Sequence, residues 1–227
     1  MVAAVIVDIV GSRRIADRAS AQRAIDEALH RLADEGPAAD VPLHPIVGDE
    51  MQGVYSHQVA ALQATLLFQL SLPDGLECRF GIGLGEIGMI PSAAGGISEG
   101  PAWWAARAAI EQVEALAERT VPAARTRVAA RADSAASPME DTAVSSAEDA
   151  VPESADEQRM VNAYLLARDQ LVAGMSERTR RLTRGRCFGI TQRKLATSEG
   201  ITQSAVSQAL STSGAAAVVE GFRLLRG

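Results

Sequence analysis

Apolar and polar positions alternate along the first 130 residues in a way that separates strands from helices. Val2 to Val10 is a continuous, β-branched apolar run, the pattern of a buried central strand. From Asp17 to about Asp34 the period lengthens, with Ile25, Leu29 and Leu32 on one helical face and Gly36-Pro37 as the stop. Leu43–Val47 and Met51–Tyr55 read as two strands joined tightly at Gly48-Asp49. His57–Leu70 is an apolar helix, and Pro73-Asp74-Gly75 is a turn. Leu76–Leu84 is a strand ending in Gly81, Gly83 and Gly85, and a glycine-rich loop runs from Met89 to Gly100. Pro101 opens a helix through Trp103, Trp104, Ala108, Val113 and Leu116, and Thr126-Arg127-Val128 adds an edge strand. This order predicts an α+β domain over residues 1–129. Its antiparallel sheet is expected to be covered on one face by helices, in the ferredoxin-like arrangement.

The pattern breaks at residues 130–155, which are rich in Ala, Ser, Asp, Glu and Pro and poor in large apolar residues. Such a segment buries too little surface to offset its ordering entropy and is expected to be a linker. Residues 156–227 then read as all-helical. Asp156–Met175 carries an apolar stripe, a short helix runs from Ser176 to Leu182, and Gly214–Leu225 closes the chain. Behind such a linker, this part is expected to move as a separate module.

Within it, Ile190–Leu210 has the spacing of a helix-turn-helix. Ala196 supplies the small residue at a steep helix crossing, and Gly200 lies where the chain must reverse. Ile201, Val206 and Leu210 anchor the second helix, while Thr202, Gln203, Ser204, Ser207 and Gln208 form its polar face. Short hydrogen-bonding side chains on such a helix suit base edges and phosphates. Glu199 departs from the apolar residue expected before the turn. The other reading is a helical hairpin whose polar face meets only water.

Charge sharpens this picture. The chain's formal net charge is −6, but residues 1–157 hold 11 arginines against 24 acidic residues. Residues 158–227 hold 10 arginines and Lys194 against four acidic residues, a net of +7. Nucleic acid responds to the field within a Debye length of roughly 8–10 Å, not to net charge. The run Arg178, Arg180, Arg181, Arg184, Arg186, Arg193 and Lys194 directly precedes or enters the motif and is placed to neutralise phosphates beside the groove. Gln192 joins Arg184, Arg186, Arg193 and Lys194 among the candidate DNA contacts, and the simpler reading is a solvated basic face. Double-stranded DNA is therefore the expected partner. No apolar run reaches the ~20 residues of a membrane span. The apolar start lacks a basic leader, so no secretory signal is expected. Two isolated cysteines, Cys78 and Cys187, fit a reducing cytoplasm rather than a disulfide or metal framework.

Asp8 and Asp49 form a second pattern. Asp8 ends an apolar strand, Asp49 sits at a hairpin, and a β-α-β-β layout brings both to one edge of the sheet. Two close carboxylates repel unless a cation bridges them, and hard oxygen ligands suit Mg2+. Each also has a simpler reading, Asp8 as a strand-end residue bonded to backbone amides and Asp49 as a turn former. The segments Val7-Asp8-Ile9-Val10-Gly11, Gly48 to Tyr55, Arg79 to Gly85 and Gly100 to Arg107 resemble the class III nucleotide cyclase fold, itself related to the palm of diguanylate cyclases. That resemblance spans roughly residues 1–120. It implies that Asp8 and Asp49 bind metal and that Arg107 steadies phosphate charge. It also implies a transition-state Asn where this chain has Trp103, and a base-selecting Lys where it has Pro45. Losing one such donor typically costs ~2.7–4 kcal/mol, so little cyclase activity is expected.

Together the two parts look like the SatD family. The expectation is a cytoplasmic DNA-binding regulator, with a catalytically degenerate cyclase-like domain as sensor or dimerisation module. It is expected to be a homodimer, since helix-turn-helix proteins usually read two half-sites. Mg2+ with a nucleotide is the ligand that Asp8 and Asp49 suggest. The alternative is a metal-dependent nucleotide-binding or nucleotidyl-transfer enzyme whose helical domain is structural.

Overall fold

In chain order the elements are β1 (Val2–Ile9), α1 (Arg18–Glu35), β2 (Val41–Pro45), β3 (Glu50–Tyr55), α2 (Gln58–Gln69), β4 (Cys78–Gly85), β5 (Gly88–Ile90), β6 (Ile97–Glu99), α3 (Pro101–Arg119) and β7 (Thr126–Ala130). Five helices follow: α4 (Glu153–Ala173), α5 (Glu177–Cys187), α6 (Gln192–Glu199), α7 (Gln203–Thr212) and α8 (Ala215–Leu224). The structure is a computed structural model and describes residues 1–90, 97–130 and 153–226. Most of the linker expected at 130–155 lies outside these residues, apart from Ala130 in β7 and the first turn of α4.

The apolar run of β1 becomes the central strand of a five-stranded sheet, ordered β2-β3-β1-β4-β7. β1 is antiparallel to both β3 and β4, as expected, while β7 is parallel to β4. Successive β1 side chains alternate between faces. Ala3, Val5 and Val7 enter the core beneath α1 and α2, and Ala4 and Ile6 enter a second core beneath α3. Helices therefore cover both faces, not one. The first four strands with α1 and α2 are the ferredoxin-like part, and α3 closes the opposite side.

What lets α3 lie there is the glycine series of β4. A Cβ on Gly83 would fall onto the Ala102 carbonyl and the Ala106 amide, and one on Gly81 onto the Ala106 carbonyl. With Ala102, Ala105, Ala106 and Ala109 buried on the helix, backbone packs almost directly on backbone. These glycines permit close packing of the helix on the strand.

Two local expectations shift. β2 occupies Val41–Pro45 rather than 43–47, because Ile46 and Val47 are taken by the turn. There Ile46 N donates to Glu50 O at 3.0 Å, and Gly48 adopts a left-handed φ of 66°. The glycine-rich loop contains a short antiparallel hairpin of β5 and β6.

The helical part is docked, not tethered. Leu165, Val172, Leu182 and Val206 belong to the same core cluster as α1 and α2. Asp169, fully buried on α4, accepts backbone amides of Arg125 at 2.8 Å and Thr126 at 2.6 Å. Arg168, equally buried, pairs with Asp169 at 2.9 Å and donates to Leu62 O of α2. Asn162 both accepts from and donates to the Val128 backbone at 2.9 Å, closing the free edge of β7. The independent movement expected of this part is not what such contacts allow, since separation would break the bonds of Asp169 to the Arg125 and Thr126 amides and of Asn162 to Val128 and expose the shared apolar core.

Candidate DNA-binding face and acidic site

Each helix of the α6–α7 pair begins with a side-chain cap: Thr191 Oγ1 accepts Lys194 N at 3.3 Å, and Thr202 Oγ1 accepts Ala205 N at 3.1 Å. Gly200 (φ 65°) ends α6 in the left-handed region, and Ile201 N returns to Ala196 O at 3.0 Å. Leu195, Ala196, Val206 and Leu210 point inward and are buried. On the outer side Thr202, Gln203, Ser204, Ser207 and Gln208 are exposed, as the sequence spacing predicts. Gln203, Ser204, Ser207 and Gln208 line one open concavity with Gln192 and Ser211. Ser211 was not among the predicted residues, although it continues the stripe one turn beyond Ser207.

The basic residues divide into two groups. Arg193 and Lys194 are exposed on α6, and among the described residues their side chains meet no hydrogen-bond or ion-pair partner. Those of α5 are occupied. Arg184 pairs with Glu35 of α1 at 2.9 Å and stacks over Phe188, while Arg186 donates to Ile190 O at 2.7 Å. Arg180 pairs with Asp74, and Arg181 with Glu177 and Glu199. Arg184 thus serves the docking of α5 on the sheet domain. Glu199, the polar residue before the turn, is held by two hydrogen bonds from Arg181 at 2.9 and 2.8 Å.

At the far end of β1, Asp8 stands opposite Glu50 of β3 and Arg79 of β4. Arg79 Nη1 donates to Asp8 Oδ2 at 3.1 Å and to Glu114 Oε1 of α3 at 2.6 Å. Arg107 Nη2 lies 2.8 Å from the Glu50 carboxylate. Asp8 Oδ1 is buried and, among the described residues, has no hydrogen-bond partner. Burial pushes the Asp8 carboxyl above the usual aspartate range. Arg79 opposes this, and the charges of Glu114 and Asp49 reinforce it. Asp8, Asp49 and Arg107 are therefore placed around one end of the sheet. Sequence reasoning missed Arg79, Glu50 and Glu114. The antiparallel register of β1 with β4, which sets Arg79 against Asp8, was the signal for the first. Trp103 donates its indole N–H to Ser98 Oγ at 2.8 Å and packs on the core beneath α3, and Trp104 is half exposed.

The sequence matches the SatD family over residues 2–220, spanning sheet and helices alike. The chain belongs to the SatD family. No curated protein matches it. Among solved structures it is similar to a bacterial light-regulated adenylyl cyclase, with 13% identity over 56% of this chain and 74% of that one and a TM-score of 0.40. It is similar also to a guanylyl cyclase, with 16% identity, 50% and 68% coverage and a TM-score of 0.35. An adenylyl cyclase from P. aeruginosa gives 14% identity, 52% and 81% coverage and a TM-score of 0.33.

In this SatD family chain the two candidate sites differ in chemistry. The α6–α7 surface offers neutral donors and acceptors flanked by Arg193 and Lys194, whose side chains are unpaired among the described residues. The Asp8 end of the sheet offers carboxylates already half neutralised by arginine. Among the described residues no group of three or more His, Cys, Asp or Glu is arranged to hold a metal ion. No described helix is long and apolar enough to cross a membrane.

Proposed function

We propose that this SatD family chain binds double-stranded DNA through α6 and α7. In this reading it is a homodimeric cytoplasmic regulator whose sheet domain senses a ligand or mediates pairing. The observation that carries the reading is the joint exposure of Gln203, Ser204, Ser207 and Gln208 on one face of α7, with Arg193 and Lys194, unpaired among the described residues, beside it. Amide and hydroxyl side chains can meet base edges, and the two cations can meet phosphates. With no arginine on the α7 face, discrimination between bases is modest and affinity leans on phosphate contact and on pairing of two half-sites. Fluorescence anisotropy of the full chain with duplex DNA across a salt series tests this. Binding that weakens with salt, and weakens further in the Arg193→Ala/Lys194→Ala double variant, supports it.

A second reading is kept by Asp8 Oδ1, a buried acceptor without a partner among the described residues. Hard oxygen donors at Asp8 and Asp49 suit Mg2+. Such an ion would neutralise both carboxylates and draw its remaining ligands from water and from the phosphates of a nucleotide. Arg107 is positioned to exchange Glu50 for a phosphate oxygen. The Trp103 indole, committed to Ser98, offers no amide to a transferring phosphoryl group, so binding without turnover is the expected outcome. Incubation with nucleoside triphosphates and Mg2+ or Mn2+, with products followed by chromatography, decides this. Turnover lost in Asp8→Ala would make the chain an enzyme.

A further inference from the structure

In sequence, the arginines of α5 look like a ready phosphate-binding row. In the structure carboxylates hold four of them: Asp74 holds Arg180, Glu35 holds Arg184, Glu177 and Glu199 hold Arg181, and Arg178 lies 4.0 Å from Glu199. The first two contacts fasten α5 to the sheet domain. The other two are made within the helical part, next to the proposed DNA-binding face.

We propose that Glu199 is an internal counter-anion that withholds Arg181 and Arg178 from a polyanion and so limits the affinity of the α6–α7 face. The proposal rests on the DNA-binding reading above. Glu199 is the last residue of α6, directly before Gly200, and Thr202 caps α7 three residues later. That distance is within a Debye length, so a negative charge there acts against phosphates approaching the start of α7. A carboxylate at a helix C-terminus also faces the negative end of the helix dipole. It needs compensation, and Arg181 supplies it with both arms of its guanidinium. The Glu199 side chain is only 17% exposed, so the pair is partly shielded and not readily displaced by salt. The same interaction holds the Glu199 carboxyl below its usual range. Where an apolar residue would have left Arg181 with Glu177 alone, this chain adds a second, better shielded carboxylate.

The test breaks one ion pair from its two ends. Glu199→Gln keeps the size of the side chain, removes the anion and leaves Arg181 held only by the half-exposed Glu177. Binding of the full chain to a short random-sequence duplex should tighten about three- to tenfold at about 0.1 M salt, with a salt slope steeper by about one. Arg181→Met leaves Glu199 with only the distant Arg178 at 4.0 Å, and binding should weaken by a similar factor. A purely structural ion pair gives a different result, because both variants then lose stability and affinity together. Retention on immobilised heparin, run in parallel, reads the same electrostatics without DNA. Opposite shifts of the two variants on heparin, with no duplex binding by any protein, would support the counter-anion and reject the DNA reading. Duplex binding that depends on Arg193 and Lys194 but falls, or stays unchanged, in both variants would reject the counter-anion and leave the DNA reading intact. No duplex binding and no opposite shift on heparin would reject both.

Discussion

Asp169 Oδ2 accepts the backbone N–H of Thr126 at 2.6 Å, joining α4 to the first residue of β7 across 43 positions of sequence. The same carboxylate is the partner of buried Arg168. Removing one member of a buried pair typically costs ~3–5 kcal/mol, because the other charge is left uncompensated. Asp169→Ala is expected to lose stability of that order in urea unfolding. Limited proteolysis should then release the helical part faster than in the wild type. An unchanged midpoint and cleavage pattern would mean that the helices are not held this way.

Gly83 sets the spacing between β4 and α3. Gly83→Ala places a methyl group onto helix backbone, which cannot move aside as a flexible side chain can. Overpacking of this kind typically costs ~1–3 kcal/mol or more, and the expected readout is a lower thermal midpoint. Gly88→Ala is the control, since a Cβ there would meet Glu99 O at an ordinary 3.6 Å.

Asp8 and Glu199 are expected to move stability in opposite directions with pH. The Asp8 pKa is raised on folding, chiefly by burial, so the folded state holds that proton more tightly than the unfolded chain. Its contribution is fully present below the ordinary aspartate value and is lost as pH rises through the raised one. The Glu199 pKa is lowered, chiefly by its hydrogen bond from Arg181. Its contribution is present above the ordinary glutamate value and is lost as pH falls through the lowered one. Carboxyl NMR titration reads both directly. If a divalent ion bridges Asp8 and Asp49, added Mg2+ should lower the Asp8 titration and leave Glu199 unmoved.

The elements that depend on local pattern were legible in the chain. The apolar run of β1, the amphipathic helix from Asp17 to about Asp34 and the polar and apolar faces of α7 all follow from period. Partnership was harder to read. Nothing in the period of α3 says that it takes the opposite face from α1 and α2. That follows from glycines on β4, whose role appears only when the helix is laid on them. Arg168 and Asp169 are buried polar residues, Asp169 accepting the Arg125 and Thr126 amides and Arg168 donating to Asp169, Thr126 Oγ1 and Leu62 O. The arginines of α5 read as a phosphate-binding row because net charge carries no record of which carboxylate each one meets. Exposure on α7 was legible because helical spacing alone decides which side chains face outward.

The most direct measurement is the affinity of the full chain for duplex DNA across a salt series, in the wild type and in the Arg193→Ala/Lys194→Ala variant. The expected result is binding whose logarithm falls linearly with log salt, with a shallower slope by up to about two in the variant. The folded variant should otherwise keep its stability, because neither side chain meets a partner among the described residues. Binding of equal affinity and equal slope in both proteins, or no binding by the wild type at low salt, would contradict a DNA-binding role for the α6–α7 face.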